Sequence, residues 1–190
     1  MLNSELKKID EEISLCHKCK DLVEKFTNHT TISFGKSTDI VILGEAPANN
    51  GWRKSGVAWY DVNGKLLPSG RVLETLLNIK NLTIADTTFL EAIKCYPVSR
   101  NNLKQCNINC KQYLYEQLKI LKPKIVLVLG DSATKCILDI KYDRFKEIAG
   151  NTYYLDIEGI KIKIIPIHHP SPINPNSLKG NQKIFKLFDI

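Results

Sequence analysis

Long apolar runs are absent from this sequence of 190 residues. No stretch approaches the ~20 consecutive apolar residues that a helix needs to cross a bilayer. Residues 1–8 also carry no apolar core of the kind that defines a signal peptide. Both observations argue against membrane-bound and secreted proteins, so we expect a cytoplasmic protein without a membrane partner.

The glycine patterns that hold nucleotide phosphates are missing as well. The chain contains neither Gly-x-Gly-x-x-Gly nor Gly-x-x-x-x-Gly-Lys-Ser/Thr, and the stretch 129–133 has a single glycine. Because a phosphate cradle needs successive free backbone N–H groups, a nucleotide cofactor is disfavoured. There is no internal repeat, and one core commonly serves up to ~250 residues. We therefore expect one domain over residues 1–190.

Acidic residues are the minority charge. The sequence has 27 Lys and Arg against 20 Asp and Glu, a formal net charge of +7. Such a surplus favours polyanionic partners, nucleic acids among them, although it identifies no function by itself.

Strand and helix patterns alternate along the chain. Predicted strands lie at 40–43, 89–94, 124–130 and 160–167, and residues 40–43 and 125–129 form the continuous apolar runs that are typical of strands buried on both faces. Amphipathic helix patterns occur at 4–15, 69–80, 107–121, 131–138 and 179–190. Ser69 is expected to cap the second of these helices. The alternation predicts an α/β fold, a three-layer α/β/α sandwich with a central, mainly parallel sheet.

Residues that could take part in catalysis follow the first and the last predicted strands. Glu45 comes directly after Gly44, and His168 and His169 follow the run that ends at residue 167. Because open α/β sheets bind ligands at the carboxyl ends of strands, an acid and an imidazole there indicate one catalytic mouth. The alternatives are a solvated loop carboxylate and a histidine held in a proline-flanked turn. Trp59, in the nearby glycine-bearing loop, could stack on a flat ring or belong to the core.

Cysteines are spaced as metal ligands are. Cys16 and Cys19 follow the N-terminal helix with two residues between them, Cys95 follows a strand, and Cys110 lies on a helix. Disulfides are not expected in a reducing compartment. Four thiolates predict either a zinc site or a [4Fe–4S] cluster, and spacing alone does not separate the two. Cys106 could replace Cys110 as the fourth ligand or be a spare thiol.

Seven motifs together resemble one known family. They are Cys16-x-x-Cys19, Gly44-Glu-Ala-Pro47, Gly56-x-x-Trp59, Lys94-Cys-Tyr-Pro97, Cys110 before Gln-Tyr-Leu, the stretch 123–130, and His169-Pro-Ser-Pro172. In this order they resemble the uracil-DNA glycosylase superfamily, most closely its iron–sulfur branch, family 4. The resemblance covers residues 16 to about 178.

The resemblance implies an enzyme of DNA repair. The chain would be a hydrolase, a monofunctional DNA glycosylase that removes uracil or another deaminated or modified base flipped out of DNA during base excision repair. It would be a monomer, associated with the nucleoid if its host is prokaryotic. The runner-up is a catalytically weak iron–sulfur protein that binds nucleic acid or a damaged base without cleaving it.

Individual roles follow from the same resemblance. Glu45 would orient the attacking water, and His169 would stabilise negative charge on the departing base. Trp59 would stack on the flipped base, with Ala46 and Glu91 also in contact with it. The [4Fe–4S] cluster would be held by Cys16, Cys19, Cys95 and Cys110.

DNA contacts are implied on both sides of this mouth. The segment from Pro170 and Ser171 onward would enter the minor groove, with Ile173 or Leu178 as the wedge that replaces the extruded nucleotide. Basic residues expected to contact phosphates, or else to be ordinary solvated side chains, are Arg53, Lys54, Arg100, Lys104 and Lys179.

Three features depart from the family's usual pattern. A stretch of alanine and two asparagines at 48–50 replaces a glycine and acidic residues, and Trp59 replaces a phenylalanine. Glu91 stands where the family has its base-recognising asparagine. Asparagine offers a donor and an acceptor, whereas an ionised glutamate only accepts. Either burial keeps Glu91 protonated, or the substrate presents donors, or Glu91 points away from the base.

Overall fold

The computed structural model describes residues 2–24 and 31–188. The strands are β1 (Val23–Glu24), β2 (Ile32–Ser33), β3 (Ile40–Gly44), β4 (Thr88–Glu91), β5 (Tyr96–Pro97), β6 (Ile125–Leu129), β7 (Tyr153–Ile157) and β8 (Ile160–Ile167). The α-helices are α1 (Leu2–Ser14), α2 (Trp52–Ser55), α3 (Pro68–Leu77), α4 (Leu103–Leu121), α5 (Gly130–Ile137) and α6 (Lys179–Leu187). Single 3-10 turns cover 78–80, 84–86, 100–102 and 145–147.

Six of these strands form the central sheet, in the order β2-β4-β3-β6-β8-β7. The four inner strands are parallel, whereas β2 and β7 pair antiparallel at the two edges. Strands β1 and β5 form a separate antiparallel pair. The expected mainly parallel sheet is confirmed.

Side chains of the inner strands alternate between two apolar layers. Val41 and Leu43 of β3 pack with residues of α1, α4 and α5 on one face. Ile40 and Ile42 pack with residues of α3 and α6 on the other face. All five residues of β3 and of β6 are buried, as expected for parallel strands covered on both sides. The three-layer α/β/α arrangement is therefore confirmed.

Helix α3 begins one residue earlier than its polar cap suggested. Pro68 occupies the start of the helix, where its missing N–H is not needed, and the extended Leu67 precedes it without a side-chain cap. Ser69 lies inside the first turn, so the prediction that it caps the helix was wrong. The α-helix ends at Leu77, and the remainder of the predicted segment is the 3-10 turn at 78–80.

Helix α4 begins at Leu103, four residues before the predicted start at 107. Ser99 caps the preceding 3-10 turn by accepting a hydrogen bond from the Asn101 N–H, and the chain continues directly into the helix. In the added turn Leu103 is partly buried and Cys106 is fully buried, a pattern too short to be recognised as helical from the sequence. It places Cys106 one turn before Cys110 on the same face of α4.

The functional edge of the sheet is set by its four parallel strands. Strand β4 ends at Glu91, three residues before the predicted end, and its neighbour β3 ends at Gly44. Gly130 and His168 directly follow β6 and β8 at the same edge. Within the described residues, no helix is long and apolar enough to span a membrane.

Candidate active site

A cavity of about 570 Å³ opens at the carboxyl edge of the parallel strands. This base cavity, as we name it from here on, is lined by residues that directly follow or end β3, β4, β6 and β8. Open α/β sheets bind ligands at this edge, so the fold places the cavity where chemistry is expected. The sequence-predicted residues in its wall are Glu45, Ala46, Trp59, Glu91 and His169.

Glu45 lies at the mouth of the base cavity with a cation beside it. Arg100 Nη2 lies 3.3 Å from Glu45 Oε1, and it also lies 3.4 Å from the Ser132 hydroxyl. The Glu45 side chain is 21% exposed, whereas that of Arg100 is 76% exposed. The Glu45 carbonyl accepts a 2.9 Å hydrogen bond from the Ile93 N–H, which ties the loop after β3 to the segment after β4. The carboxylate is thus held in place and paired with a cation that faces solvent.

His169 is oriented by its own loop. Its Nδ1 accepts a 3.1 Å hydrogen bond from the Ser171 N–H, so the proton of the neutral ring lies on Nε2. Partial burial lowers the pKa of His169, and the nearby Glu45 carboxylate opposes only part of that effect. A Cβ at residue 130 would lie 3.1 Å from the His169 Cβ, so glycine gives this side chain room. His169 therefore presents a neutral N–H donor at the cavity wall.

His168 is held away from this chemistry. Its backbone N–H donates to Asn181 Oδ1 at 2.8 Å, and its carbonyl accepts from Asn181 Nδ2 at 2.7 Å. The ring packs edge-on against Phe145, with 5.5 Å between the centroids. This clamp fixes the end of β8 and so fixes where His169 begins.

Trp59 forms an aromatic wall of the base cavity. Its ring is buried against Phe89 of β4, with 4.7 Å between the centroids and 56° between the planes. Its backbone adopts a φ of +71°, a conformation that residues other than glycine rarely adopt. The Trp59 Nε1 atom is buried without a hydrogen-bond partner in the structure. The core and stacking interpretations are thus compatible, because one ring serves both.

Glu91 lies on the wall between β3 and β4. Its Oε2 is buried without a hydrogen-bond partner, and its carboxyl group is packed so closely on Gly44 that any Cβ there would collide with it. Burial raises the pKa of Glu91 to about 8, against the opposing charge of Lys94 and with added repulsion from Glu45. The carboxyl therefore belongs to the cavity wall, and the interpretation in which it points away is disfavoured.

Lys94 is buried beneath this wall but does not pair with the Glu91 carboxyl. Its ammonium group donates instead to the Glu91 backbone carbonyl and to Gln117 Oε1. Gln117 in turn donates to the Thr31 hydroxyl at 2.8 Å, which donates to Asp10. A chain of buried polar contacts thus ties the end of β4 to α4, to β2 and to α1.

A second, small cavity of about 10 Å³ lies behind the segment that follows Glu91. No disulfide joins any of the six cysteines, all of which lie in described parts of the chain. Four of them line this thiol cavity: Cys16, Cys19, Cys95 and Cys110. Cys106 does not line it, although it is buried against Cys19. Across residues 2–24 and 31–188, no three cysteine, histidine or acidic side chains lie close enough together to hold a metal ion.

Of the residues expected to contact DNA, Arg100 lines the base cavity and the others do not. Ile173 is 92% exposed at the tip of the loop that follows His169, and Leu178 is 37% exposed at its end. Pro170 is buried and Ser171 is half-buried at the base of this loop. Asn174 Nδ2 donates to the His169 carbonyl at 3.1 Å and stiffens the loop.

Two basic residues of α2 differ in their surroundings. Arg53 is largely buried, where it forms an ion pair with Glu24 of β1 and stacks 4.5 Å from the ring centroid of Tyr96. Lys54 is exposed and donates to Asn50 Oδ1 at 3.2 Å. Lys54 is therefore better placed to meet a phosphate, whereas Arg53 joins the small β1–β5 sheet to α2.

Sequence reasoning missed three features of the site. It predicted that Arg100 contacts a DNA phosphate, whereas in the structure Arg100 forms an ion pair with Glu45. It did not consider Phe89, whose buried ring supports Trp59, or Ser132, which contacts Arg100. Both follow from the sheet edge alone: Phe89 lies on β4, and Ser132 lies in the first turn after β6.

Comparisons with known proteins agree with this geometry. The sequence model of the uracil DNA glycosylase superfamily matches residues 32–188. The Type-4 uracil-DNA glycosylase of Sulfurisphaera tokodaii is 31% identical over 188 residues, which cover 95% of this chain and 82% of the relative. The protein of the same name from Archaeoglobus fulgidus is 30% identical over 87% of this chain and 81% of the relative. That from Saccharolobus solfataricus is 29% identical over 86% and 74%.

Proposed function

This chain belongs to the uracil-DNA glycosylase superfamily, and we propose that it hydrolyses the N-glycosidic bond of uracil, or of another deaminated base, in DNA. It would thereby begin base excision repair as a monofunctional glycosylase. The observation that carries the proposal is the placement of Glu45 and His169 on one cavity, at the ends of two parallel strands, beside the buried ring of Trp59.

Base flipping accounts for the shape of the site. A base stacked in a duplex is out of reach, so an enzyme that cleaves its glycosidic bond must rotate the nucleotide into a pocket. The base cavity, at about 570 Å³, lies within the ~300–1,000 Å³ of small-molecule sites. Trp59 offers the aromatic surface on which the flipped base stacks.

Two side chains would stabilise the charges that develop as the glycosidic bond breaks. The bonding electrons leave with the base, which becomes anionic, while the sugar becomes oxocarbenium-like and is attacked by water at C1′. The Nε2–H of neutral His169 donates to the carbonyl oxygen on which the negative charge builds. Glu45 accepts a hydrogen bond from the attacking water and lowers the energy of the cationic sugar.

Arg100 gives Glu45 its orientation in this scheme. The ion pair holds the carboxylate at the cavity mouth, and the outer face of the guanidinium is open to solvent. A DNA phosphate beside the flipped nucleotide can contact that exposed face. Lys54, Lys104 and Lys179 extend the same basic surface.

Ile173 is the wedge in this proposal. It is the more exposed of the two apolar candidates. A hydrogen bond within its loop fixes the conformation of the loop before DNA binds. An apolar side chain inserted between base steps fills the space that the extruded base leaves. Leu178, which precedes α6, would support the loop from behind.

The four thiols that line the thiol cavity match the donor set of a [4Fe–4S] cluster, although in the described residues they lie farther apart than metal ligands do. Cys16, Cys19, Cys95 and Cys110 face one common cavity, and four thiolates are the ligand set of such a cluster. When bound, the cluster supplies cross-links between the end of α1, the segment after β4 and α4, so its role would be structural. Cys106 would remain an ordinary buried thiol.

Substitution of single cysteines tests this ligand set. Cys110→Ser should abolish the brown colour and the iron content of anaerobically purified protein, whereas Cys106→Ser should keep both. Iron analysis and the absorption spectrum give the result. Iron lost from the Cys106 variant and kept in the Cys110 variant would exchange their roles, and a colourless wild-type protein with stoichiometric zinc would refute the cluster.

An excision assay tests the function itself. Wild-type protein should convert uracil-containing oligonucleotides into products with alkali-labile abasic sites. A protein that only retards the oligonucleotide in a gel would instead be the nucleic-acid-binding alternative. We propose that the enzyme acts as a monomer in the cytoplasm, on the nucleoid of a prokaryotic host, which size-exclusion chromatography and imaging can check.

A further inference from the structure

Two buried polar atoms in the base cavity lack hydrogen-bond partners. They are Oε2 of Glu91 and Nε1 of Trp59, and both residues line the cavity. Buried polar atoms in folded proteins are nearly always hydrogen-bonded, because an unpaired one costs ~1–3 kcal/mol. Because both residues line one cavity, a ligand bound there is the group best placed to pair with them.

The Glu91 carboxyl packs on the neighbouring strand, and the backbone around it is fixed by hydrogen bonds. It packs against Gly44 of the neighbouring strand, with which residue 91 is in register. The Ala92 N–H donates to the Gly44 carbonyl at 3.0 Å, and the buried Lys94 ammonium binds the Glu91 carbonyl from beneath. A side chain held in this way can serve as a recognition element without reorganising.

The charges around Glu91 act in opposite directions, because Lys94 favours its ionised form and Glu45 favours its neutral form. Among the described residues its carboxyl takes part in no ion pair, since Lys94 is committed to the Glu91 backbone and to Gln117. Glu45 faces it from the end of β3, and the neutral Cys136 thiol lies nearby on α5. The other charged or titratable side chains of the cavity wall are Tyr96, Arg100, Asp131 and His169.

Burial dominates over these neighbours. It raises the pKa of Glu91 to about 8, so the carboxyl carries its proton at neutral pH. A neutral carboxyl has one O–H donor and one carbonyl acceptor side by side, whereas the ionised group only accepts. The neutral form therefore has the hydrogen-bonding pattern of a primary amide.

We propose that Glu91 recognises the flipped base as a neutral carboxylic acid, which donates to a ring carbonyl and accepts from the adjacent ring N–H. This edge is shared by bases whose exocyclic amine has been replaced by a carbonyl, so the substrate class includes uracil and hypoxanthine. The inference rests on the proposed function and adds the group that selects the base. Ionisation of Glu91 removes the donor and places an anion beside a leaving anion, so excision falls as the pH rises.

The test compares Glu91 with an amide that cannot ionise. Single-turnover excision of uracil and hypoxanthine is measured between pH 6 and pH 9 for wild-type protein, Glu91→Gln and Glu116→Gln. Glu116 is an exposed residue of α4 that does not line the cavity, so its variant should follow the wild type. The ratio of Glu91→Gln to wild-type rates should rise about tenfold by pH 9 from its value at pH 6. A ratio that stays constant would overturn the proposal.

Two further measurements do not depend on turnover. Wild-type minus Glu91→Gln infrared difference spectra should contain a protonated carboxyl band at pH 6 that is lost by pH 9.5. Binding of an uncleavable 2′-fluoro-deoxyuridine oligonucleotide should weaken over the same range for wild type alone. If neither base is excised but both results hold, the proposed function fails and this inference stands.

Failure of the two measurements would overturn the inference and leave the glycosylase assignment intact. Absence of the carboxyl band at pH 6 would be enough to overturn the inference, because it would show that Glu91 is ionised. If Glu91→Gln does not fold by circular dichroism, Glu91→Asn supplies the same amide on a shorter side chain.

Discussion

Glu45 and Glu91 end neighbouring parallel strands, yet their surroundings differ. Glu45 follows Gly44 at the mouth of the base cavity and has Arg100 3.3 Å away. Glu91 lies opposite Gly44 in the ladder, with a buried oxygen that has no partner. Two carboxyl groups one strand apart thus differ in their partners, because one is paired with a cation and the other is packed on a glycine with one oxygen unpaired.

Partners rather than strand position decide what each carboxyl can do. Beside Arg100, the Glu45 side chain is placed to act on a cationic sugar or a water molecule. Inside the wall, burial raises the pKa of Glu91 to about 8, and the group can act as a hydrogen-bond donor. Active sites commonly divide acid and base roles by such differences in environment.

The largest expected effect removes the charge of Glu45. Glu45→Gln keeps the size of the side chain but cannot stabilise the oxocarbenium-like sugar, so single-turnover excision should fall by about 10³-fold. Binding of the uncleavable oligonucleotide should change little, because the lost interaction develops in the transition state. A binding loss as large as the rate loss would instead assign Glu45 to substrate binding, and its role would no longer differ from that proposed for Glu91.

The next largest effect is expected for His169, whose N–H would donate to the leaving base. His169→Ala removes the Nε2–H donor, so excision should fall by about 10²-fold with little change in binding. The matched control is His168→Ala, since that ring packs on Phe145 outside the cavity. Equal losses in the two histidine variants would indicate a structural effect on the end of β8.

A smaller effect is expected when Glu45 loses its partner. Arg100→Met should lower the single-turnover rate about tenfold, a change of ~1.4 kcal/mol, because the carboxylate is no longer oriented. Lys104→Met removes one positive charge from an exposed position nearby and should weaken DNA binding without lowering the rate at saturation. If both variants affected binding alone, Arg100 would be only a phosphate contact.

A last effect concerns stability and not rate. Between its unfolded-state pKa of 4.5 and its folded-state pKa of about 8, Glu91 keeps a proton that the unfolded chain has released. The free energy of unfolding should therefore fall as the pH rises through this window. Glu91→Gln lacks this penalty, so its stability relative to wild type should increase by ~3 kcal/mol between pH 5.5 and pH 8.5 in urea titrations.

Asp86 provides a control of opposite sign. Hydrogen bonds from Thr83 and Lys36 lower the pKa of Asp86 to about 2. Its contribution is present above the unfolded-state pKa and is lost only as the pH falls through about 2. Asp86→Asn should therefore destabilise the protein equally at pH 5.5 and pH 8.5. A constant difference for Glu91→Gln as well would mean that residue 91 does not titrate there.

The sheet and the positions of Glu45 and His169 at its edge were predictable from sequence for the same reason. Buried parallel strands leave uninterrupted apolar runs, and each run ends where the chain emerges at the ligand-binding edge. Gly44 and Gly130 marked two of those ends, so Glu45 could be placed at the cavity mouth. His169 followed in the same way from the apolar run of β8.

The environment of Glu91 could not be predicted in this way. The unpaired oxygen depends on contacts between residues far apart in the chain: Gly44 beside it, and Lys94 drawn away by Gln117. The pairing of Arg100 with Glu45 likewise joins positions separated by 55 residues. Periodicity carries no information about such contacts, which only the folded chain brings together.

Trp59 combines backbone strain and core packing at one residue. Its φ of +71° is a conformation that costs a residue other than glycine ~1–3 kcal/mol. Glycine would release that strain, but it would also delete the buried ring that packs on Phe89, and truncation of a buried Trp costs ~3–5 kcal/mol. The packing energy therefore exceeds the strain energy at this position. Selection for heat resistance alone should keep an aromatic residue at position 59 when variants of this chain are evolved in the laboratory.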